Sequence, residues 1–285
     1  MSLRLDRLAT LYVARPLRSK SKSAKASVPI LMYHSIADED ESSVHAYYRT
    51  ATHPRVFAEQ MQTLHDEGYA VLSLGAAVAR LQEDASGAKS AVITFDDGYR
   101  NFYSDAFPIL QRFGFSATMY LPTAFIGEQA VKFKGKDCMT WTQVRELEKY
   151  AISFGSHTVT HPKLHGMTAT AIREEIFGSK QTLEEKLGHA VESFAYPYAF
   201  PETDIPFKLQ LRELLVEAGY RDGVCTTLGC ASPGDDLFFL KRLPVNSCDD
   251  GSLFTAKLAG AYDWLAAPQR WAKLAKAGVT EVLRP

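Results

Sequence analysis

The hexapeptide TFDDGY, residues 94–99, places two adjacent aspartates, Asp96 and Asp97, between an apolar run and a glycine turn. Two neighbouring carboxylates repel each other when both are ionised, so a cation, a shared proton or separate partners must relieve the repulsion. A bound cation is therefore one interpretation of the pair. The same pattern also suits a solvated turn whose aspartates cap a helix.

A second polar cluster, SHTVTH at residues 156–161, contains His157 and His161 four residues apart. On a helix or in a tight turn, this spacing puts both imidazoles on one side. Neutral imidazole is a ligand for zinc and similar divalent metals; two surface histidines before Pro162 are the alternative. One aspartate and two histidines would leave open positions for water, as hydrolytic metal sites do.

A third segment, FAYPYAF at residues 194–200, combines an aromatic run with Pro197. The backbone just after this proline could present an N–H group to a bound carbonyl oxygen. An aromatic core strand followed by a proline turn is the alternative interpretation of the same residues.

Short runs of β-branched and aromatic residues alternate with segments of helical period from residue 28 onward. This alternation is typical of βα units around a parallel sheet. Helix starts are indicated at Pro54, Thr140 and Thr168. Eight runs are candidate strands: residues 28–34, 69–74, 90–95, 116–121, 151–156, 192–197, 223–227 and 240–245.

Neither a repeat of fixed period nor a Gly/Ser/Pro linker divides residues 28–285, so we predict a single α/β barrel-like domain. Ligands in parallel α/β folds bind at the carboxyl ends of the strands. The polar clusters follow the ends of these runs, as does His34, which ends the first one. The pattern therefore predicts one site that brings them together.

The composition of the 285 residues, with 46% hydrophobic and 23% charged residues, is that of a globular protein. It excludes disordered, collagen-like and coiled-coil chains, and no apolar run reaches the roughly 20 residues of a bilayer span. The formal net charge of −1 gives no indication of a nucleic-acid partner. The four cysteines are widely spaced apart from one C-x4-C pair, which favours reduced thiols.

The charge is unevenly distributed, because residues 1–28 carry seven Lys/Arg and one Asp. We predict that residues 1–27 form a basic, flexible arm of a cytoplasmic protein. The alternative is a weak tether to anionic lipid or to a membrane-bound assembly complex.

The three motifs resemble, in the right order, those of the polysaccharide deacetylase superfamily of metal-dependent carbohydrate esterases. TFDDGY is similar to the first motif, SHTVTHPKL to the second and FAYPY to the third. LMYHSI at residues 31–36 resembles the opening strand of the branch that includes bacterial exopolysaccharide deacetylases. The resemblance covers about residues 28–245 and implies a distorted (β/α)7 barrel, similar to a TIM barrel. The apolar and aromatic residues of 251–283 separately predict C-terminal helices packed on this barrel.

The resemblance also implies a role for each motif residue. Asp97, His157 and His161 would hold a divalent metal, with zinc as the default and cobalt or nickel as alternatives. Asp96 would be the general base that deprotonates the attacking water. The metal and the backbone N–H of Tyr198 would stabilise the oxyanion, a type of contact worth about 3 kcal/mol.

Two departures from the family pattern concern the remaining catalytic groups. Many members carry a late histidine that protonates the leaving amine, but no histidine follows His189 here. His34 resembles the histidine that serves this role in the MYH-bearing branch; a buried histidine bonded to the backbone is the alternative. Ala195 stands where many members have an arginine that orients the catalytic aspartate, and we predict that Arg242 replaces it.

We therefore predict a metal-dependent hydrolase that removes acetyl groups from an N-acetylated sugar, polysaccharide or polysaccharide precursor. One alternative is a deacylase or deformylase that acts on a small amide or a lipid-linked sugar. An alternative of another class is a catalytically weak member that binds sugar during polysaccharide assembly.

Overall fold

The computed structural model describes residues 4–19, 27–83 and 89–271. Its strands are, in chain order, β1 (Ile30–Tyr33), β2 (Ser35–Ile36), β3 (Ala51–Thr52), β4 (Ala70–Leu72), β5 (Ser90–Phe95), β6 (Ala117–Leu121), β7 (Lys132–Phe133), β8 (Lys136–Asp137), β9 (Ile152–Ser156), β10 (Ser193–Ala195), β11 (Asp222–Leu228) and β12 (Leu240–Pro244). Seven of these pair in parallel in the order β1-β5-β6-β9-β10-β11-β12, and β12 returns to β1. The ring is closed, which confirms the predicted distorted (β/α)7 barrel.

All eight predicted apolar runs form strands, and β4 is the one that lies outside the ring. It pairs with the beginning of β5 through Leu72 and Val92, whereas β6 pairs with the end of β5 through Met119 and Phe95. Because β1 occupies the opposite edge of β5 along residues 92–95, β4 and β6 share one edge. The eighth strand thus extends the sheet without entering the barrel.

Helices pack around the barrel, and three of them begin where the sequence predicts. They are α1 (Leu5–Ala9), α2 (Arg15–Ser19), α3 (Pro54–Asp66), α4 (Leu74–Gln82), α5 (Phe107–Phe113), α6 (Trp141–Leu147), α7 (Ala169–Leu187), α8 (Ile205–Glu217) and α9 (Gly251–Leu258). Pro54 is the first residue of α3, and the side chains of Thr140 and Thr168 cap α6 and α7. These caps fix the points at which the chain leaves each loop and enters a helix.

The core consists of two buried clusters between which successive strand residues alternate. In β1 and β5, Leu31 and Ile93 belong to one cluster, and Ile30 and Val92 belong to the other. Alternation between two buried faces is expected when a sheet is covered on both sides. The barrel strands therefore hold their polar end residues on a rigid, fully packed frame.

Residues 4–19 form helices rather than the flexible arm that we predict from the sequence. A π-helical turn, Thr10–Ala14, joins α1 to α2. Asp6 pairs with Arg4 at 2.5 Å and accepts a hydrogen bond from Tyr262 at 2.7 Å, while Trp264 donates to Thr10. Tyr262 and Trp264 come from the C-terminal part of the chain, so the local composition gives no sign of them. Residues 1–3 and 20–26 of the predicted arm lie outside the described residues.

The C-terminal part packs on the barrel through α9 and the turn that follows it. Leu253, Phe254 and Tyr262 are completely buried there. The stretch predicted as helical extends to residue 283, of which residues 272–283 lie outside the described range. None of the described helices combines the length and the apolar character that a bilayer span requires.

Candidate active site

The structure brings the predicted site residues to one cavity at the carboxyl ends of the barrel strands. The cavity has a volume of about 280 Å³. Its lining includes His34 after β1, Asp96 and Asp97 after β5, His157 and His161 after β9, and Tyr198 after β10. Arg242, on β12, contacts Asp96 from within the barrel.

Asp97, His157 and His161 converge at one side of this cavity. The Oδ1 atom of Asp97 lies 3.2 Å from Nε2 of His161 and 3.8 Å from Nε2 of His157. All three side chains are buried, and each can offer one ligand atom within 4.8 Å of the others. Among the described residues, no hydrogen bond satisfies Asp97 Oδ1. A buried carboxylate oxygen that faces two imidazole nitrogens fits a divalent cation.

A hydrogen bond determines which nitrogen of the His157 ring carries the proton and leaves the other free to bind a cation. Its Nδ1 atom lies 2.8 Å from the carbonyl oxygen of Ala195, which can only accept, so Nδ1 carries the proton and Nε2 presents its lone pair. Burial lowers the pKa of His157 to about 4, so the ring is neutral at pH 7. A neutral imidazole held by its second nitrogen is the usual state of a metal ligand.

The segment from His157 to His161 is a loop that Thr158 holds in place. The Thr158 hydroxyl donates to the His157 carbonyl oxygen at 2.5 Å and accepts from the His161 N–H at 3.0 Å. His157 itself continues from β9 through a hydrogen bond from its N–H to the Leu121 carbonyl. The two imidazoles therefore face each other by means of a turn, with ring centroids 4.7 Å apart.

Arg242 meets Asp96 in a two-pronged ion pair. Nη1 and Nη2 of Arg242 lie 2.7 Å from Oδ1 and Oδ2 of Asp96, and the arginine also donates to Cys225 and Thr94. Burial alone would raise the pKa of Asp96, but the guanidinium outweighs burial and holds this pKa below its usual range. Asp96 is therefore an ionised, fixed carboxylate at neutral pH.

His34 faces the same cavity beside Asp96. Its Nε2 lies 4.0 Å from Asp96 Oδ2, and the side chain is 22% exposed. Burial lowers the pKa of His34, while the charges of Asp96 and Asp97 act in the opposite direction. No hydrogen bond from the ring to a backbone group is found within the described ranges, so the alternative of a backbone-bonded histidine has no support there.

Tyr198 lies in the loop after β10 and borders the cluster of Asp97, His157 and His161. Its ring packs against His161 with centroids 4.7 Å apart, and its carbonyl oxygen accepts from the Thr226 hydroxyl at 2.9 Å. The same hydroxyl accepts from the Phe200 N–H at 2.8 Å. Thr226 thus bridges Tyr198 and Phe200 and fixes the backbone of the turn that contains Tyr198.

Backbone strain is concentrated at this cavity. Within the described residues, five non-glycine residues have a positive φ: Asp97 (73°), Lys134 (49°), Thr158 (69°), His161 (57°) and Tyr198 (59°). All but Thr158 line the cavity, and Thr158 holds the histidine loop. Residues other than glycine rarely adopt a positive φ unless the surrounding structure holds them there. Residues in this backbone conformation concentrate at functional sites.

Lys134 also lines the cavity, although it is not among the site residues predicted from the sequence. Its Nζ atom lies 3.4 Å from Asp97 Oδ2. Lys134 stands in the turn between β7 and β8, two strands of two residues each, which were not predicted. The only available signal was the Lys134-Gly135 dipeptide, a weak indication of a tight turn.

The same motifs relate the chain to known proteins. A family model for polysaccharide deacetylases matches residues 83–221. YxkH of Bacillus subtilis (strain 168), assigned by name to the polysaccharide deacetylases, is 31% identical over 232 residues, which are 81% of this chain and 76% of that protein. The chain belongs to the polysaccharide deacetylase family. This finding confirms the resemblance that its motifs indicate.

Two further relatives of this deacetylase differ in how much they share with it. The Streptococcus pyogenes deacetylase PplD, solved in complex with acetate, has 27% identity and a TM-score of 0.71, and the match covers 82% of this chain and 99% of that one. The poly-β-1,6-N-acetyl-D-glucosamine N-deacetylase of Escherichia coli (strain K12) is 31% identical over 143 residues, which are 45% of this chain and 20% of the relative. The deacetylase is accordingly a hydrolase of the carbohydrate esterase type.

Proposed function

We propose that this deacetylase hydrolyses the N-acetyl group of a hexosamine in a polysaccharide or its precursor, with a divalent cation held by Asp97, His157 and His161. The observation that supports this most directly is the buried Asp97 Oδ1, which faces the Nε2 atoms of both histidines. When bound, the cation, which we propose to be zinc, supplies a Lewis acid that polarises the acetyl carbonyl.

In this proposal Asp96 is the general base. Water attacks the carbonyl carbon as Asp96 takes one of its protons. The two-pronged contact with Arg242 keeps Asp96 ionised and aimed into the cavity, so Arg242 orients the base. Arg242, on β12, thereby takes the place of the arginine that many family members carry at the position of Ala195.

His34 and Tyr198 complete the reaction. The N–H of Tyr198 donates to the oxyanion of the tetrahedral intermediate. Burial lowers the pKa of His34, so its ring starts neutral and takes up the proton that Asp96, 4.0 Å away, has removed from water. His34 then gives this proton to the sugar nitrogen as the carbon–nitrogen bond breaks, which releases acetate and a free amine.

Acetate release from a panel of N-acetylated sugars tests the function. The panel includes β-1,6-linked N-acetylglucosamine oligomers, because a relative is named for that polymer. We expect release that chelation abolishes and that zinc, cobalt or nickel restores. Equal release before and after complete metal removal would contradict the metal-dependent mechanism, and no release from any member would contradict the substrate class. The cytoplasmic location stays a prediction.

A further inference from the structure

The hairpin formed by β7 and β8 presents one cation to the metal-binding cluster. Its strands pair antiparallel through Lys132 with Asp137 and Phe133 with Lys136. The two turn residues, Lys134 and Gly135, have φ values of 49° and 82°. Two consecutive left-handed residues make the tightest type of hairpin turn, so the tip has little freedom.

The hairpin is anchored to the residues that directly follow Asp97. The N–H of Arg100 donates to the Asp137 carbonyl, and the N–H of Met139 donates to the Gly98 carbonyl, both at 2.9 Å. Lys136 adds an ion pair of 2.6 Å with Glu39. The position of the hairpin tip relative to Asp97 is therefore set by the backbone.

At this tip the Lys134 ammonium contacts Asp97 on the side away from the histidines. Nζ lies 3.4 Å from Oδ2 of Asp97, whereas Oδ1 faces the two imidazoles. The ammonium also lies over the rings of Phe133 and Tyr198, 4.5 and 5.3 Å from Nζ, although the side chain is 42% exposed. The two carboxylate oxygens of Asp97 thus have different partners: Oδ1 faces the histidines and Oδ2 faces Lys134.

The two adjacent aspartates each have one cationic partner. Arg242 neutralises Asp96, and Lys134 neutralises Asp97. Burial would raise the pKa of Asp97, but the close His161 ring and further charges that include Lys134 hold it well below its usual range. A cation at Oδ1 is attracted by the carboxylate and repelled by the ammonium behind it.

We propose that Lys134 is a positioning residue for the metal-binding carboxylate of Asp97. It occupies Oδ2, so that Asp97 offers the metal a single oxygen, and its charge weakens the affinity of the centre. A one-oxygen contact leaves more of the cation free for substrate and water. The inference rests on the proposed metal site and adds a group that sets how the metal is held.

Cobalt titration of the metal-stripped, full-length protein tests the proposal. The visible absorption of Co²⁺ weakens as its coordination number rises, and the same titration gives the dissociation constant. In Lys134→Met, Asp97 is free to bind through both oxygens and the repelling charge is gone. We expect about tenfold tighter binding and weaker absorption per bound cobalt.

Three variants separate this effect from a general loss of charge or fold. Lys132→Met removes the same charge from β7, where it does not line the cavity, and should leave the affinity and the spectrum close to those of the unchanged protein. Lys134→Arg keeps a donor and a charge and should restore most of the original spectrum. Lys134→Gln is a second neutral variant in case Lys134→Met does not fold, which circular dichroism reports.

Equal effects of Lys134→Met and Lys132→Met, or unchanged binding and absorption in both neutral Lys134 variants, would overturn the proposal. Failure of the proposed function has a different signature. In that case the unchanged protein takes up no cobalt at this site, and Asp97→Asn makes no difference to uptake.

Discussion

At the scale of single residues, the two adjacent aspartates have separate environments. Asp96 has both oxygens bound to Arg242, whereas Asp97 presents one oxygen to the histidines and the other to Lys134. The residue pattern by itself does not distinguish the environment of Asp96 from that of Asp97. Their partners come from β12, the loop after β9 and the β7–β8 hairpin, and only the closed barrel brings these together.

Replacing each aspartate by asparagine should therefore have different consequences. Asp96→Asn should keep the bound metal but lose turnover by a factor on the order of 10² to 10⁴, because the base is lost. Asp97→Asn should lose metal instead, because its ligand oxygen loses its charge. Elemental analysis and acetate release measured on the same preparations check both statements. Equal metal loss in the two variants would contradict the division of roles.

His34 should matter only when the leaving group needs a proton. His34→Ala should keep the metal, lose most activity on an N-acetyl sugar and retain much of its activity on an activated aryl acetate. Comparison of the two substrates is the measurement. The control is His65→Ala, which removes an exposed histidine of α3 and should change neither rate. Equal losses on both substrates would make His34 a structural or substrate-binding residue.

At the scale of elements, the eight strands could be predicted because each is an apolar run of its own. In β5 and β6 every residue of the run is buried, whereas β4, outside the ring, is only partly covered. The starts of α3, α6 and α7 could be predicted for local reasons. Pro54 has the backbone angle of a first helical residue, and the Thr140 and Thr168 side chains cap α6 and α7. The β7–β8 hairpin could not be predicted in this way, because strands of two residues carry no periodic pattern. The residue missed at the site, Lys134, lies on this hairpin.

Strand β9 must approach its neighbours very closely at Gly155 to place His157. A Cβ atom there would lie 2.5 Å from the Tyr120 ring and 2.9 Å from the Ser193 carbonyl oxygen. Gly155→Ala should lower the free energy of unfolding by about 1–3 kcal/mol, because backbone must move. Gly75→Ala in α4 meets nothing within 4 Å and should be neutral or slightly stabilising. Urea unfolding of both variants checks this, and equal stability would contradict the close packing of β9.

At the scale of the whole molecule, the N-terminal helices contact the C-terminal part of the described chain. Arg4 lies 3.5 Å from Asp249, which pairs at 2.8 Å with the buried Lys257. Lys257 also donates to the carbonyl oxygen of Pro244, the last residue of β12. The N-terminal helices are thus connected to the strand that carries Arg242. The basic composition of the N-terminal residues suggested a flexible arm. Composition does not reveal that a distant carboxylate, Asp249, pairs with Arg4.

The carboxylate of Asp6 should make this contact dependent on pH. Hydrogen bonds from Arg4 and Tyr262 outweigh burial and lower the pKa of Asp6 from 3.8 to about 2. Its stabilisation is therefore complete above pH 4 or so and is lost as the pH falls through about 2. Asp6→Ala should cost about 1–2 kcal/mol at pH 7, allowing for solvent screening.

Urea unfolding of the unchanged protein and of Asp6→Ala, at pH 7 and at the lowest pH at which both remain folded, measures this contribution. The difference between them should narrow towards acid pH. Asp38→Ala removes a carboxylate that is 87% exposed and should leave stability unchanged at pH 7. A difference that stays constant with pH would mean that Asp6 acts through packing alone.

The left-handed conformation of Tyr198 opposes thermal stability to catalysis in this enzyme. Thr158 is fully buried and its hydroxyl makes two hydrogen bonds, so glycine there should be destabilising. Tyr198 is 49% exposed, and glycine adopts its backbone conformation without a steric penalty, which relieves strain of about 1 kcal/mol or more. Glycine also removes the ring that packs on His161. Laboratory evolution that rewards survival of heating alone should therefore favour glycine at Tyr198, and such a lineage should lose turnover as it gains stability.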